Sequence, residues 1–336
     1  MGRVITAGVD GSRYSRTALQ AAVHTARERD AALRIVHVRR PEHAIGDTPE
    51  RRFSRMVLDD AYSFARELAS GMRVERRSVA GEPATGLLAT ACGSDLLVVG
   101  TRGSSRISPS LLGSTASALA AQTGLPIEVV GHAPEHRHRR VVLGLSAARP
   151  DAAVIRFAFE AAARTDSRLA IVYSDARNAP LVPAPGAGSG SGVGVGAGAG
   201  AGPSQSQRRS QCREQQEATL NHIARVWGAL YPQTPVTLRP VPSMGDNALV
   251  AASMGADLLV IGRAQGRTAR LRGPGAPLSL LAYAACPVAI VPCPVVAPTL
   301  RDASPIPGTG TSAEPDREPI LAGRLSERKT RAAQRS

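Results

Sequence analysis

The sequence predicts an α/β fold, made of two tandem doubly wound parallel sheets of five strands each, of the Rossmann type. Short continuous apolar runs, such as residues 96–99 (LLVV), have the composition of parallel strands buried on both faces. These runs alternate with Ala- and Leu-rich segments of helical character, the order typical of a parallel sheet flanked by helices. The pattern then occurs a second time, because DLLVIG at 257–262 repeats DLLVVG at 95–100.

Length and composition favour two domains with aliphatic cores. The chain has 336 residues, more than a usual single domain; 43% of them are hydrophobic and only 3% are aromatic. Val, Leu, Ile and Ala therefore have to form the cores. We predict one domain over residues 1–131, a linker over 132–140, a second domain over 141–295 and a disordered tail over 296–336.

The first half contains five apolar runs separated by periodic or polar segments. The predicted strands cover residues 3–9, 33–38, 73–79, 96–99 and 126–130. The predicted helices cover residues 18–29, 56–70, 81–92 and 113–123, with a polar loop over 39–54. Ser12 or Ser15 is the expected cap of the first helix, since a hydroxyl can accept from the free N–H groups of a helix start.

The second half repeats the strands and carries an insertion. The matching strands are expected over residues 141–145, 169–173, 258–262 and 286–291, and the matching first helix over 152–165. From about 179 to 208 the chain is rich in Gly, Ala, Pro and Ser, with few large apolar groups. Such a segment cannot bury enough surface to order itself, so we predict that it is disordered and loops out of the domain.

The net charge of +14 does not indicate a nucleic-acid-binding protein. Arginine accounts for all 41 basic residues except Lys329, a bias typical of genomic base composition. The arginines are scattered over the predicted helices with no aromatic residues interleaved for base stacking. We expect no nucleic-acid binding.

Cysteine usage and the N-terminus favour a cytoplasmic protein. Cys92 and Cys286 lie in apolar stretches, which favours buried thiols over disulfides. The chain starts directly with a strand and contains no signal peptide or membrane-spanning run, so we expect no membrane association. His132, His136 and His138 are flanked by arginines in the linker, where a basic spacer is the simpler interpretation than a metal site.

A glycine pattern marks the candidate site. Gly100 ends a strand, and Gly103 and Gly113-Ser114 complete a Gly-x2-Gly-x9-Gly-Ser pattern that opens a helix. Glycines allow close approach of the backbone to a ligand, and a helix N-terminus attracts anions. Hydroxyls and guanidinium groups add donors for phosphate. The predicted phosphate-binding side chains are Arg102, Ser104, Arg106, Ser114 and Thr115.

A plain surface loop is the alternative to a phosphate site, and one common phosphate-binding motif is absent. A surface loop with a serine N-cap would produce part of the same pattern. No Gly-Lys-Ser/Thr occurs, so the pattern is not a Walker A loop.

The order of motifs resembles that of a known family. GVDGS at 8–12, GEP at 81–83, DLLVVG at 95–100 and the long glycine pattern follow one another along the chain. The chain resembles the universal stress protein family, in the tandem two-domain form common in actinobacteria. The resemblance covers roughly residues 1–131 and 141–295, without the insertion and the tail.

The resemblance implies an adenine nucleotide, ATP with or without Mg²⁺, as the ligand. It places Asp10 near the ribose, with the backbone of Gly8 and Val9 beside it, and the backbone of Val38 at the adenine. The phosphates would meet the glycine frame, a set made of Gly100, Gly103, Gly113, Ser114 and Thr115. For Asp10, an Asx-turn at the helix start is the alternative role. All these positions lie at carboxyl ends of strands, where open α/β sheets bind ligands.

The second half departs from the family pattern at the aligned positions. Ser146 replaces the acid, and Gln265 and Ala276 replace a glycine and a serine of the phosphate loop. Gly262 and Gly275 remain, but Pro274 and Pro277 flank the second of them and each lacks a backbone donor. We expect one ATP per chain, in the N-terminal half.

Three functions follow as hypotheses. The first is a nucleotide-binding stress or regulatory protein, whose occupancy controls its conformation or the binding of a protein partner. The second is a slow ATPase, although the sequence places no His or Glu near the motif and only Asp10 as an acid at the pocket. The third is a structural module, in which the halves form an intramolecular pseudo-dimer that can also assemble as a homodimer.

Overall fold

The computed structural model describes residues 2–39, 41, 46–103, 112–122, 124–131, 136–145, 150–174, 205–241, 246–264 and 278–293. Within these residues ten strands form a single sheet with helices on both faces. The predicted α/β class with mostly parallel strands is confirmed.

The first half of the sheet is parallel throughout. Its strands are β1 (Val4–Gly8), β2 (Ala32–Arg39), β3 (Val74–Ala80), β4 (Leu96–Gly100) and β5 (Ile127–Val130). Its helices are α1 (Arg13–Glu28), α2 (Pro49–Leu68), α3 (Pro83–Thr90) and α4 (Ser114–Gln122). The strand order is β3-β2-β1-β4-β5, so the direction in which strands are added reverses between β1 and β4.

The second half has the same topology. Its strands are β6 (Arg140–Gly144), β7 (Arg168–Ser174), β8 (Val236–Val241), β9 (Leu258–Ala264) and β10 (Val288–Cys293). Its described helices are α5 (Ala152–Arg164), α6 (Gln205–Leu230), α7 (Asp246–Ser253) and α8 (Leu278–Tyr283). The order β8-β7-β6-β9-β10 matches the first half strand for strand.

The two five-stranded halves join into one continuous sheet. Their last strands, β5 and β10, pair antiparallel, with Ala289 opposite Glu128 and Ile290 opposite Ile127. The sequence predicted two parallel sheets and an intramolecular pair but did not show how they meet. The boundaries that we predicted at residues 131 and 141 stay predictions; β5 ends at Val130 and β6 begins at Arg140.

Apolar side chains cover both faces of the sheet. One face packs against α1, α2, α5 and α6, through residues that include Leu19, Leu58, Phe159 and Leu220. The other packs against α3, α4, α7 and α8, through residues that include Leu87, Leu119, Leu249 and Leu280. Burial of these aliphatic groups from water is the main stabilising contribution to a sheet of this kind.

Helix α2 begins earlier than predicted. The sequence analysis assigned residues 39–54 to a loop, but α2 already starts at Pro49. The Thr48 side chain accepts a hydrogen bond from the Arg51 N–H at 3.3 Å, and proline is well suited to the first helical position. Because the first turn of α2 is polar, apolar periodicity does not reveal that the helix starts here.

The insertion of the second half ends earlier than predicted. Helix α6 starts at Gln205, so the predicted disorder to about 208 was wrong over its last residues. The rest of the insertion, residues 179–204, and the tail lie outside the described residues.

Cys286 is buried as predicted, but Cys92 is exposed because it follows the end of α3 in a turn. In the part of the chain that is described, no helix has the length and apolar character needed to span a membrane.

Candidate functional site

A cavity of about 630 Å³ opens at the carboxyl edge of the first half. It lies where β1, β2 and β4 end, beside the start of α4, and α2 contributes to its far side. This is the position at which the strand order reverses between β1 and β4, the usual ligand position in open α/β sheets.

The cavity brings together ten of the twelve residues that the sequence singled out. These are Gly8, Val9, Asp10, Val38, Gly100, Arg102, Gly103, Gly113, Ser114 and Thr115. Ser104 and Arg106 lie outside the described residues. Residues that are more than 100 positions apart in the sequence therefore line the same cavity. Their roles toward a ligand stay predictions.

Asp10 forms the Asx-turn that was its alternative role and also lines the cavity, while its role toward a ribose stays a prediction. Its Oδ1 accepts a hydrogen bond from the Ser12 N–H at 3.0 Å, which is an Asx-turn at the start of α1. Ser12 in turn caps α1, because its hydroxyl accepts from the Ser15 N–H at 3.1 Å. The half-buried Asp10 carboxylate also lines the cavity, so the turn holds a negative charge at its wall.

The end of β1 is fixed to β2 beneath the cavity. The Val9 N–H donates to the Val36 carbonyl at 2.9 Å, and the Val9 carbonyl lies 2.7 Å from Nδ1 of the buried His37. A carbonyl can only accept, so Nδ1 carries the proton in this contact. Val38 follows at the cavity wall, held by the register of β2 with β3.

The glycine frame is required by the packing of the chain against itself. A Cβ on Gly100 would lie 2.8 Å from the carbonyl carbon of Tyr14, and one on Gly103 would lie 2.8 Å from Oδ2 of Asp10. A Cβ on Gly113 would lie 3.1 Å from the Thr101 carbonyl oxygen, to which the Gly113 N–H donates. None of these three glycines has positive φ, so close approach and not a left-handed backbone explains them.

Arg102 is anchored beside the cavity by α1. Its Nη1 donates to the Tyr14 hydroxyl at 2.8 Å, and Arg13 Nη2 donates to the same oxygen at 2.8 Å. These hydrogen bonds, from Arg13 first and Arg102 second, lower the pKa of Tyr14. The guanidinium predicted for phosphate is therefore held at the cavity wall by its hydrogen bond to Tyr14 of α1.

The structure adds lining residues that the sequence analysis missed. His37 and Glu50 both line the cavity, so the statement that no His or Glu lies near the motif was wrong. Phe53 stands on α2 with its ring edge-on to His37 at 6.0 Å and is 46% exposed. His37 comes from β2, as predicted for that stretch, whereas Glu50 and Phe53 come from the early turns of α2, which had been assigned to a loop.

The matching place in the second half is built differently. Aligned from Gly8 and Gly144, Ser174 occupies the position of Val38, and its carbonyl accepts a hydrogen bond from Nε2 of Gln216 on α6. In the first half the resemblance assigns the backbone of Val38 to adenine. In the second half the equivalent backbone carbonyl, that of Ser174, is already hydrogen-bonded to a side chain of the protein. The aligned Ser146, Gln265, Gly275 and Ala276, with Pro274 and Pro277, lie outside the described residues.

Comparison with known proteins gives a consistent assignment. The model of the universal stress protein family matches residues 1–131. A universal stress protein of Bacillus subtilis is 33% identical over 141 residues, which cover 36% of this chain and 94% of that protein. A universal stress protein of Mycobacterium bovis is 25% identical over 277 residues, which cover 77% of this chain and 86% of that protein.

Solved structures agree with the fold of the whole sheet. The crystal structure of a universal stress protein from Archaeoglobus fulgidus matches with a TM-score of 0.56 at 15% identity, covering 86% of this chain and 96% of that one. A putative universal stress protein from Pseudomonas aeruginosa matches with a TM-score of 0.57 at 13% identity, covering 87% and 94%. At these identities the likeness concerns the fold.

Proposed function

The chain belongs to the universal stress protein family, and from this premise we propose that it is an ATP-binding regulatory protein with a single nucleotide site in its first half. The observation that carries the proposal is the cavity at the carboxyl edge of β1 and β4. It collects an acid, a glycine frame, an anchored guanidinium and the N-terminus of α4 in one volume.

The cavity suits a nucleotide in size and in the distribution of charge. Its volume of about 630 Å³ lies within the range of about 300–1,000 Å³ usual for small-molecule sites. The positive groups, Arg102 and the start of α4, lie beside the glycine frame, where the phosphates would be held. Asp10 and Val38 lie toward β1 and β2, where the ribose and the base would be held.

Mg²⁺ fits the same site only as a companion of the phosphates. Within the described residues there is no group of three His, Cys, Asp or Glu side chains that could hold a metal by itself. Magnesium is commonly bound through phosphate oxygens, water and one or two carboxylates. Asp10 and the exposed Glu50 are the carboxylates that line this cavity.

ATP would act here as a regulator, through the segments that surround it. The glycine frame ties the end of β4 to the start of α4, since the Gly113 N–H donates to Thr101 at 2.8 Å. A ligand that bridges this connection and Asp10 would link three strand ends and two helix starts. Its differential affinity for two arrangements of these segments would supply the free energy of switching.

A slow ATPase is the second candidate, favoured by one observation. His37 and Glu50 supply the basic groups at the cavity that the sequence analysis did not place there. Release of labelled phosphate from ATP would separate the two candidates. Turnover that is lost in His37→Asn or Glu50→Gln, with ATP still bound, would establish the ATPase.

Calorimetric titration of the full chain with ATP and Mg²⁺ tests the main proposal. We expect one ATP per chain. Asp10→Ala should weaken binding at least tenfold, because it removes both the charge and the turn acceptor. Asp10→Asn keeps an acceptor for the Ser12 N–H and should weaken binding less, which separates the ligand contact from the turn.

Ser146→Ala, at the aligned position of the second half, is the matched control and should leave ATP affinity unchanged. Two equivalent sites per chain, or wild-type affinity in Asp10→Ala, would show that the proposal is wrong.

A further inference from the structure

A second cavity lies at the seam between the two halves, away from the nucleotide site. It has a volume of about 240 Å³ and is enclosed by α1 and α5, above the paired strands β5 and β10. Charged side chains from both halves line it, among them Arg29, Glu128 and Arg164. Neither the family motif nor the resemblance concerns any of these residues.

Glu128 stands at the centre of the ten-stranded sheet. It is 6% exposed, and Ala289 is its neighbour across the antiparallel pair, so a small side chain leaves space beside the carboxyl group. No ion pair within 4.0 Å is formed by Glu128 among the described residues. Burial raises its pKa to about 7, against the opposing effect of Arg29.

Two guanidinium groups face the same cavity with donors that are not used. Arg29 follows the last residue of α1 and stacks over the Phe157 ring at 5.2 Å. Arg29 Nε and Arg164 Nη2 are both buried and have no hydrogen-bond partner within the described chain. A buried donor without an acceptor is unfavourable, and an acceptor placed in the cavity would relieve both.

The remaining charges around the cavity are already compensated. Arg137 pairs with Glu28 at 3.0 Å, and Arg164 Nη1 pairs with Glu160 at 3.2 Å. Asp257 accepts hydrogen bonds from the N–H groups of His138 and Arg140. Arg29 is left without a carboxylate within 4.0 Å among the described residues, so its guanidinium has no ion-pair partner in this cavity.

We propose that this seam cavity binds a small amphipathic carboxylate, held by Arg29 and Arg164 at its charged end. The apolar part would lie against Phe157, Val130 and Ala161, which line the same space. The volume corresponds to about eight water molecules, which sets the ligand at on the order of ten non-hydrogen atoms. The two arginines come from different halves, so the ligand would bridge them.

Protonation of Glu128 would control this binding. An ionised Glu128 repels a carboxylate, and a protonated one can donate a hydrogen bond to it. The other groups that line the cavity do not reproduce this effect: Glu28 and Asp257 are held in the contacts described above, and His24 has a pKa lowered by burial and by Arg137. Affinity should therefore fall as pH rises through the titration of Glu128.

Titration of the full chain with sodium benzoate, in the presence of saturating ATP, tests the proposal. We expect saturable binding of one benzoate per chain, about tenfold tighter at pH 6 than at pH 8, because about 90% and about 10% of Glu128 would be protonated at these values. Glu128→Gln should bind benzoate equally at both pH values. Benzamide, the uncharged analogue, should not bind.

Arg29→Gln should weaken benzoate binding at least tenfold, while Arg156→Gln on the exposed side of α5 should leave it unchanged. If Arg29→Gln does not fold, Arg164→Gln and the pH dependence lost in Glu128→Gln supply the same test. Absence of saturable binding, equal binding of benzamide, or full affinity in Arg29→Gln would overturn the proposal. Asp10→Ala should not alter benzoate binding, so this site and the ATP site can fail separately.

Discussion

The two halves of the sheet share a topology but differ at the carboxyl edge of their strands, the edge at which open α/β sheets usually bind ligands. In the first half the strand ends leave a cavity of about 630 Å³, beside which Ser12 caps α1. In the second half α5 begins one turn later relative to its strand, because Pro150 and Asp151 stand where Tyr14 and Ser15 stand in the first. There Asp151 caps the helix, accepting from Ala153 and Val154, and Gln216 bonds to the strand end.

A retained glycine is weak evidence of a retained ligand site. Gly100 and Gly262 are aligned, and both are needed by packing. A Cβ on Gly262 would lie 2.9 Å from Val154 Cγ2 and 3.0 Å from Cys293 Sγ. The glycine persists because a helix crosses the strand end in both halves. The side chains around it decide whether a ligand can be held.

The largest expected difference between the halves concerns the central strand pair, where Glu128 faces Ala289. A carboxyl whose pKa is raised from 4.5 to about 7 keeps its proton in the folded state while the unfolded chain has lost it. The free energy of unfolding therefore falls as pH rises from about 4.5 to about 7, by about 3 kcal/mol at most. Glu128→Gln should remove this loss and be more stable than wild type at pH 8 by about that amount.

Urea unfolding at pH 5, 7 and 8 measures the effect of Glu128→Gln. The exposed Glu67→Gln on α2 is the matched control and should leave the pH profile unchanged. The raised pKa would be contradicted if the free energy of unfolding of the wild type rose between pH 5 and pH 8 and this rise disappeared in Glu128→Gln. Such a result would require an ionised Glu128 that stabilises the fold.

A smaller difference is expected between the aligned glycines. Gly100→Ala places a methyl group 2.8 Å from backbone atoms of Tyr14, so α1 has to move, at a destabilisation of about 2 kcal/mol. At Gly262 the nearest atoms are the side-chain atoms Val154 Cγ2 and Cys293 Sγ and not backbone, so Gly262→Ala should destabilise less, by about 1 kcal/mol. The urea midpoints of the two variants, measured at an unchanged slope of the unfolding free energy against urea, provide the comparison. Equal losses of stability would contradict the prediction, because backbone and side-chain neighbours would then accommodate the methyl group equally well.

The sequence was sufficient for the five strands of the first half and for four strands of the second, but β8 (Val236–Val241) was not placed. β1, β4, β6 and β9 are short apolar runs buried on both faces, and their repetition identifies the duplication without any distant contact. The antiparallel junction of β5 with β10 could not be predicted, since neither strand carries a signal for the direction of its partner. Nor could α6, whose polar residues follow directly after the glycine-rich stretch.

The candidate site was predictable where it follows strand ends and was missed where it depends on distant packing. The glycine frame was found from motif spacing and Asp10 from the family resemblance, and all of them line one cavity. His37 and Phe53 were missed, because their place at the cavity depends on how α2 packs over β2. Thr48-Pro49-Glu50, a capping residue followed by proline and an acid, is the signal that could have extended α2 to the site.

The smallest expected difference concerns the connections between the third and fourth elements of each half, β2 to α2 and β7 to α6. Nine residues join β2 to α2 in the first half, and thirty join β7 to α6 in the second, most of them in the glycine-rich insertion. Deleting residues 182–204 leaves seven residues and keeps α6 whole, because that helix begins at Gln205. The entropy of loop closure changes only with the logarithm of loop length, so the deletion should stabilise the fold by about 1 kcal/mol or less. ATP stoichiometry should remain one per chain. Thermal unfolding of the deletion variant beside wild type measures the change, and a marked fall in Tm would mean that the insertion packs against the second half and stabilises it.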